Sequence, residues 1–444
     1  MKSNKRSMAC QESCDLPPLE EISSSLVPPP RYEDKDIEEL LESISLIIAD
    51  FVTNRPLEYM YEDFRRRVTD YTREVVEVLY NAVFEIFSNI DIQYHLEQAD
   101  YIYFNLNGLP RSQPTNIRIQ AYDQQVTADI LQKLRDTPQP QQRTPEWYTF
   151  RHERLTASSI WKALENGKTL NQLIYAKCKP IDVTKYSRVN ITSPMHHGHK
   201  YEPVSIQLYE RDYDTVIEEF GCLPSPDHPC IGASPDGINV KKGNPRYGRL
   251  LEVKNPVGRV PNGCPKKDYW VQMQIQMVVA GLHTCDFLET VIVEYSDEAA
   301  FMADGSYTKT ADGRQKGIII CFHDGSRPVY EYPPLGLLED KFNDWMDQIV
   351  TKNSAMTWTR NSFWHLAKTT CSVVRYNDAW FRAALPKFKE VWAIIEKERV
   401  NGYAHREPTR RSKKNKNPDP VTNIVMKVRT ESFDLTHPTP NSNN

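Results

Sequence analysis

No apolar run in this chain is long enough to cross a bilayer, which takes about 20 residues of helix. Its first residues, MKSNKRSMACQESCDLPPLEE, run basic and then acidic with no apolar signal core. Both lacks point to an intracellular protein. No Cys-x-x-Cys pair occurs among the nine cysteines, an odd number, which argues against a disulfide framework and against a zinc ribbon. Cys10 and Cys14, in a polar stretch, read as free thiols. Positive charge is not in excess either. The 55 lysines and arginines face 59 acids, a formal net charge of −4, so any charge that meets nucleic acid has to be local. What is present is 39% hydrophobic, 10% aromatic and 26% charged over 444 residues, enough for two or three domains and a sizeable core.

Residues 1–34 are polar and close on Val27–Pro30, a disordered leader with a stiff boundary. From Lys35, the apolar residues Ile37, Leu40, Leu41, Ile44, Ile47, Ile48 and Phe51 repeat at three and four, as on one face of a helix. A second helix is expected from Glu62 to Phe87, carried by Phe64, Val68, Tyr71, Val75, Val78 and Ala82. Segment 35–135 thus reads as a helical accessory domain, and nothing in it names a chemistry. Residues 136–146 form a proline-broken linker. Beyond it, 215–223, the two halves of 231–256, 287–295 and 317–322 read as five strands, with a helix from Tyr269 ended by Gly281. This is an α/β core over 143–330. Two aromatic-rich helices follow at 335–350 and 376–400, within a C-terminal helical segment 331–401. The tail 402–444 is polar, with six cations between Arg406 and Lys416. A nuclear-import signal, a DNA arm and a solvated disordered tail all fit it.

The stretch Ile231–Pro256 organises the rest. Asp236 lies in a Ser-Pro-Asp-Gly turn, and Glu252 and Lys254 sit in the apolar run LLEVK. Strand alternation puts Glu252 and Lys254 on one face and Leu251 and Val253 on the other. Alone, an Asp-Gly turn or a Glu-x-Lys strand is ordinary surface chemistry. Together, a charged pair within an apolar strand must be paired, hold a metal or line a cleft. Two carboxylates and a lysine suit a hard divalent cation that leaves room for water and a phosphate.

Three further segments bear on that stretch. In Trp147–Ser159, Thr156 is an N-cap candidate, and Arg151 and Arg154 with nearby hydroxyls would cradle a phosphate, though a plain capped helix explains them too. In Met195–Pro203, a first-turn proline would place Glu202 near a helix start. His196, His197 and His199 there lack the spacing of zinc ligands. Gln272, Gln274 and Gln276 alternate, so they cannot share one helical face.

Five motifs in order, WYTFRHERLTASS, GHKYEP, GASPDG, LLEVKNP and YWVQMQIQM, resemble the YqaJ-type viral recombinase group. That group includes the bacteriophage lambda exonuclease and viral alkaline exonucleases, within the PD-(D/E)XK nuclease superfamily. The resemblance covers residues 143–300. It implies a PD-(D/E)XK restriction-endonuclease-like α/β core, a central mixed sheet flanked by helices, joined here to an N-terminal helical domain and C-terminal helices. It implies that Asp236 and Glu252 bind magnesium, with manganese able to substitute, that the Val253 carbonyl completes the shell, and that Glu202 supports it. Lys254 would orient or activate the attacking water. Gln272 would be the family's helix glutamine, with Gln274 the alternative. Arg151 and Ser158, beside Arg154, would bind the terminal or scissile phosphate. Asn255 departs from the cysteine or small residue common before Pro256. The basic insert Lys241–Arg249 either meets DNA or is a hairpin loop.

The implied function is a metal-dependent 5′→3′ exonuclease on double-stranded DNA, acting at DNA ends in viral-type recombination, repair or genome maturation. A single-strand annealing protein is an implied partner, and a ring-shaped homo-oligomer and a monomer both stay open. An endonuclease or junction resolvase of the same superfamily, an RNA-processing nuclease and a non-catalytic DNA-binding scaffold are the alternatives. The place of action would be the nucleus or cytoplasm of a host cell, with no membrane partner.

Overall fold

The apolar repeat that follows residue 33 folds as its spacing requires. Helix α1, Asp34–Asn54, buries Leu40, Ile44, Ile48 and Phe51 along one stripe. Helix α2, Phe64–Leu79, buries Phe64, Val68 and Val76, and α3, Asn89–Leu106, buries Ile92, Leu96 and Ala99. Helix α4, Gln124–Asp136, is capped by Asp123, whose carboxylate accepts from the N–H groups of Gln125 and Val126. This computed structural model describes residues 33–79, 89–106, 108–115, 123–182 and 190–408. Most of the expected leader with Cys10 and Cys14, the end of the second expected helix, and nearly all of the basic tail lie outside the described residues.

The sheet is built from strands β1, Gln113–Pro114, β3, Ile217–Glu218, β6, Gly237–Asn239, β7, Leu250–Lys254, β8, Thr284–Glu294, β9, Lys316–His323, β10, Pro328–Glu331, and β11, Thr357–Arg375. They run in the order β10-β9-β11-β8-β7-β6-β3, with β1 on β11. Only the β7–β8 pair is parallel among these neighbours, which makes the sheet mixed. Short strands β2, Leu155–Thr156, β4, Leu223–Pro224, and β5, Ile231–Ala233, form a second, three-stranded sheet.

Flanking helices are α5, Pro145–His152, α6, Gly167–Cys178, α7, Pro194–Tyr213, α8, Lys267–Ala280, α9, Glu298–Ala303, α10, Glu339–Lys352, and α11, Asp378–Asn401. Helix α8 stops at Gly281, whose φ of +68° is the left-handed conformation that glycine adopts without penalty. The buried residues from Leu40 to Ile395 make one continuous apolar cluster, so the N-terminal helices share a core with the sheet. Tyr59, between α1 and α2, stacks 6.5 Å from Trp270 of α8. The Trp270 indole N–H donates to the Arg111 carbonyl at 2.9 Å.

Two expectations are corrected. The C-terminal segment is not helical throughout, because β11, with 19 residues, runs through the middle of the sheet between α10 and α11. Its alternation is obscured by Thr, Ser, Arg and Lys on a half-exposed strand and by register shifts at Trp358/Arg360 and Leu366/Lys368. Helix α7 begins at Pro194, capped by Ser193, and not at Pro203, which lies in its interior. Glu202 is therefore mid-helix.

Candidate active site

Register brings the acids of the central stretch together. The antiparallel pairs Gly237↔Leu251 and Ile238↔Leu250 carry Asp236, one residue beyond the ladder, across from Glu252. Asp236 Oδ2 accepts from the Val253 N–H at 2.7 Å, which ties the turn to β7. Glu252 is fully buried, as the apolar run around it demands, and both its oxygens are engaged. Lys254 forms an ion pair with Oε1, and Gln276 Nε2 donates to Oε2 at 2.6 Å. Gln276 also reaches the Ser234 carbonyl at 3.3 Å, so α8 clamps the strand and the turn from one side. The ammonium of Lys254 lies 5.0 Å from the ring centre of Tyr269, the first turn of the same helix.

Glu202 of α7 stands within electrostatic reach of this group. Burial raises its carboxyl affinity for the proton, and Arg143 and Lys254 oppose that while Glu219 and Glu252 add to it. Asp236 is pushed well up by burial and then by Glu252 and Glu202. For Lys254, burial pulls downward, but Glu252 and Asp236 outweigh it and the ammonium is held charged. Three carboxyls are thus electrostatically coupled to one half-buried lysine, which contacts Glu252, an excess of oxygen donors and negative charge that suits a hard divalent cation. Asp236, Glu252 and the Val253 carbonyl would hold it, with Glu202 in support. Among the described residues no three His, Cys, Asp or Glu side chains already converge as a finished metal cage.

The cradle residues meet as well. Arg151 Nη2 donates to Ser158 Oγ at 3.0 Å, and its guanidinium lies 4.2 Å from the centre of the Trp147 ring. Trp147 in turn donates from its indole N–H to Ser234 Oγ at 3.3 Å, two residues before Asp236. Arg154 turns the other way, over the Phe150 ring at 3.7 Å, with Nη1 on the Phe150 carbonyl. Behind Arg151, the buried Lys177 of α6 donates to its carbonyl at 2.5 Å.

Residues 146–283 match the model of the YqaJ-like viral recombinase domain. The match spans 138 of the 444 residues, about a third of the chain. Over 309 residues the chain is also 28% identical to "Uncharacterized protein R354" of Acanthamoeba polyphaga mimivirus, covering 60% of this chain and 54% of that protein, so it spans about half the relative's length. Among solved structures, an alkaline exonuclease (LHK-Exo) from Laribacter hongkongensis is 19% identical, with 58% of this chain and 95% of that one covered and a TM-score of 0.34. A complex of LHK-Exo with dAMP gives 18% identity and the same TM-score of 0.34. These overlaps are partial.

Every residue of the cluster just described, from Trp147 to Gln276, falls inside the matched segment 146–283. One glutamine joins the cluster without having been singled out in the sequence. The glutamine on Glu252 is Gln276, not Gln272 or Gln274. Gln274 is buried on the opposite side of α8, donating to the Arg375 carbonyl and accepting from the Asn377 N–H, which fastens the helix to the end of β11. Gln272 is half-buried, one turn before Gln276. Gln272 and Gln276 are four apart and share a face, a signal present in the sequence that still leaves two candidates. Lys177, a single lysine in an unremarked helix, carried no signal.

Other residues that the sequence singled out in this segment make structural contacts. Asn255 donates to Ser205 Oγ at 2.7 Å and Thr290 Oγ1 at 2.6 Å, joining β7, α7 and β8 at one buried knot. In the basic insert, Arg246 and Arg249 turn inward onto the buried Asp286, which also accepts from the Tyr209 hydroxyl at 2.6 Å. These two arginines serve the hairpin and are spent on it. His196 meets the Tyr330 hydroxyl at 2.5 Å.

Proposed function

We propose that this protein is a divalent-metal-dependent deoxyribonuclease, a 5′→3′ exonuclease acting on the ends of double-stranded DNA. Magnesium is the expected ion, with manganese able to replace it. The setting would be viral-type recombination, repair or genome maturation inside a host cell. The observation that carries this reading is Glu252, buried with one oxygen on Lys254 and the other on Gln276, opposite Asp236. A fully buried carboxylate is costly to build, and this one, held from two sides, lies next to a second acid whose charge it does not neutralise.

A bound metal ion would polarise the phosphodiester and make a water nucleophilic near neutral pH. The chain's own residues do the rest. Val253 N–H fixes Asp236, and Gln276 fixes the Glu252 carboxylate plane. Lys254, held charged beside Glu252, would supply an ammonium to the negative charge that grows on a phosphate bound there. Arg151 and Ser158, joined at 3.0 Å, offer a guanidinium and a hydroxyl to a phosphate, with Trp147 stacked beneath.

The test uses a linear duplex labelled at either 5′ end beside a covalently closed circle, each with magnesium and with EDTA. Magnesium-dependent loss of the linear duplex from its 5′ ends, with the circle intact, is the expected outcome. Cutting of the circle would make it an endonuclease. Asp236→Asn should abolish turnover, and Lys254→Met should cost about 10²–10³-fold, as loss of a key electrostatic group does. Full activity in either folded variant would refute the assignment.

A further inference from the structure

Arg143 is one of two non-glycine residues with positive φ among the described residues, at +68°. A side chain with a Cβ resists that left-handed conformation, so its neighbours must impose it. They do so from both sides. Thr144 folds back on the Gln141 carbonyl, through its N–H at 3.4 Å and its hydroxyl at 2.8 Å. Gln142 donates to the Phe220 carbonyl at 3.0 Å, and Thr144 Oγ1 then caps α5 by accepting from Trp147 N–H at 3.2 Å. The turn so fixed aims the Arg143 guanidinium at Glu202, with Nη2 at 3.7 Å from Oε2. The two side chains are 45% and 24% exposed, so this pair sits at the rim of the site and not beneath it.

We propose that Arg143 is a positioning residue that holds Glu202 in the metal-free site and yields it when a divalent cation enters. This rests on the metal-dependent reading above. In the site as it stands, two cations each pair with one of the three acids: Lys254 with Glu252 and Arg143 with Glu202. For the acids to close on an ion, the positive charge already there has to move aside. Lys254 is anchored on a strand in the interior, whereas Arg143 is a long, half-exposed side chain on a loop, free to swing into solvent. Metal entry and release of Arg143 are then one exchange, and Arg143 is coupled to ion affinity by the same free energy in both directions. An ordinary surface ion pair would not need a strained backbone to aim it.

The experiment is calorimetric titration of the full chain with Mn²⁺ at pH 8, for wild type, Arg143→Gly, Arg143→Lys and Asp236→Asn. Glycine suits the φ of this position, so R143G keeps the turn while removing the guanidinium. Its Mn²⁺ affinity should rise about two- to fivefold, the scale of a partly exposed ion pair, with R143K between it and wild type. R143G binding Mn²⁺ no better than wild type, while D236N loses it, would overturn the exchange and leave the metal site standing. Wild type that binds no Mn²⁺, or D236N that binds as wild type does, would remove the metal site and the exchange with it.

Discussion

Gln276 and Lys177 are the side chains whose roles the site defines most sharply, because each holds a group of the site through hydrogen bonds that a substitution removes. Gln276→Ala takes the donor from Glu252 Oε2 and leaves a buried carboxylate oxygen without a partner. Groups that orient a metal ligand are worth about 10–100-fold in activity or ion affinity, so Q276A should fall by that much and Gln272→Ala should stay near wild type. Loss in Q272A with Q276A near wild type would move the role to Gln272. Lys177 makes a pH prediction. Burial first, then Arg151 and Arg399, lower its ammonium from 10.5 to about 7. Between pH 7 and 10.5 the unfolded chain holds that proton and the folded one releases it, so stability from this group rises with pH over that window. Thermal midpoints of wild type should therefore gain on those of Lys177→Met as pH climbs from 7 to 10. A constant gap would mean that Lys177 keeps an ordinary affinity for its proton.

At the scale of elements, the knot of Asn255, Ser205 and Thr290 decides how α7 sits on β7. Ser205 is one turn beyond Glu202 on the same helix, so a slip here moves that acid relative to Glu252 and Lys254. Asn255→Ala should cost about 1–3 kcal/mol in chemical denaturation, the penalty for two buried hydroxyls left short of a partner. It should also lower activity more than a similarly destabilising change far from β7; equal losses would make the knot purely structural. Elements were legible in the sequence where one signal dominated. The α1 stripe, the LLEVK strand and the glycine at 281 each announce their structure through periodicity, burial or φ, and the Asp236–Glu252–Lys254 group follows from motif order. What escaped were features that depend on partners distant in sequence. Strand β11 is made by β8 and β9 on either side of it, not by its own alternation. The start of α7 depends on whether Pro194 or Pro203 takes the first turn, and both fit locally. The choice of Gln276 over Gln272 depends on where the Ser234 carbonyl lies.

For the molecule as a whole, the segment that matches the recombinase domain is smaller than the unit that can fold. The match ends at residue 283, yet β8 begins at Thr284 and supplies the parallel partner of β7. Strand β8 is itself paired along its length with β11, from Thr284↔Arg375 to Glu294↔Trp364. On the other flank, Trp270 of α8 is 1% exposed because Tyr59 and the Arg111 carbonyl cover it. The buried Arg111 also donates to the Tyr59 and Met60 carbonyls, which pins the N-terminal helices to the α8 side of the site. Removing 33–135 would uncover Trp270, at a cost comparable to the ~3–5 kcal/mol of deleting a buried tryptophan, and removing 331–406 would bare the long edge of β8. A fragment 143–300 should therefore be aggregated or unfolded by circular dichroism, while residues 33–406 should melt in a single calorimetric transition. Two separated transitions in 33–406, or a folded and soluble 143–300, would mean that the helical segment and the α/β core are independent after all. The site would then owe its geometry to the α/β core alone.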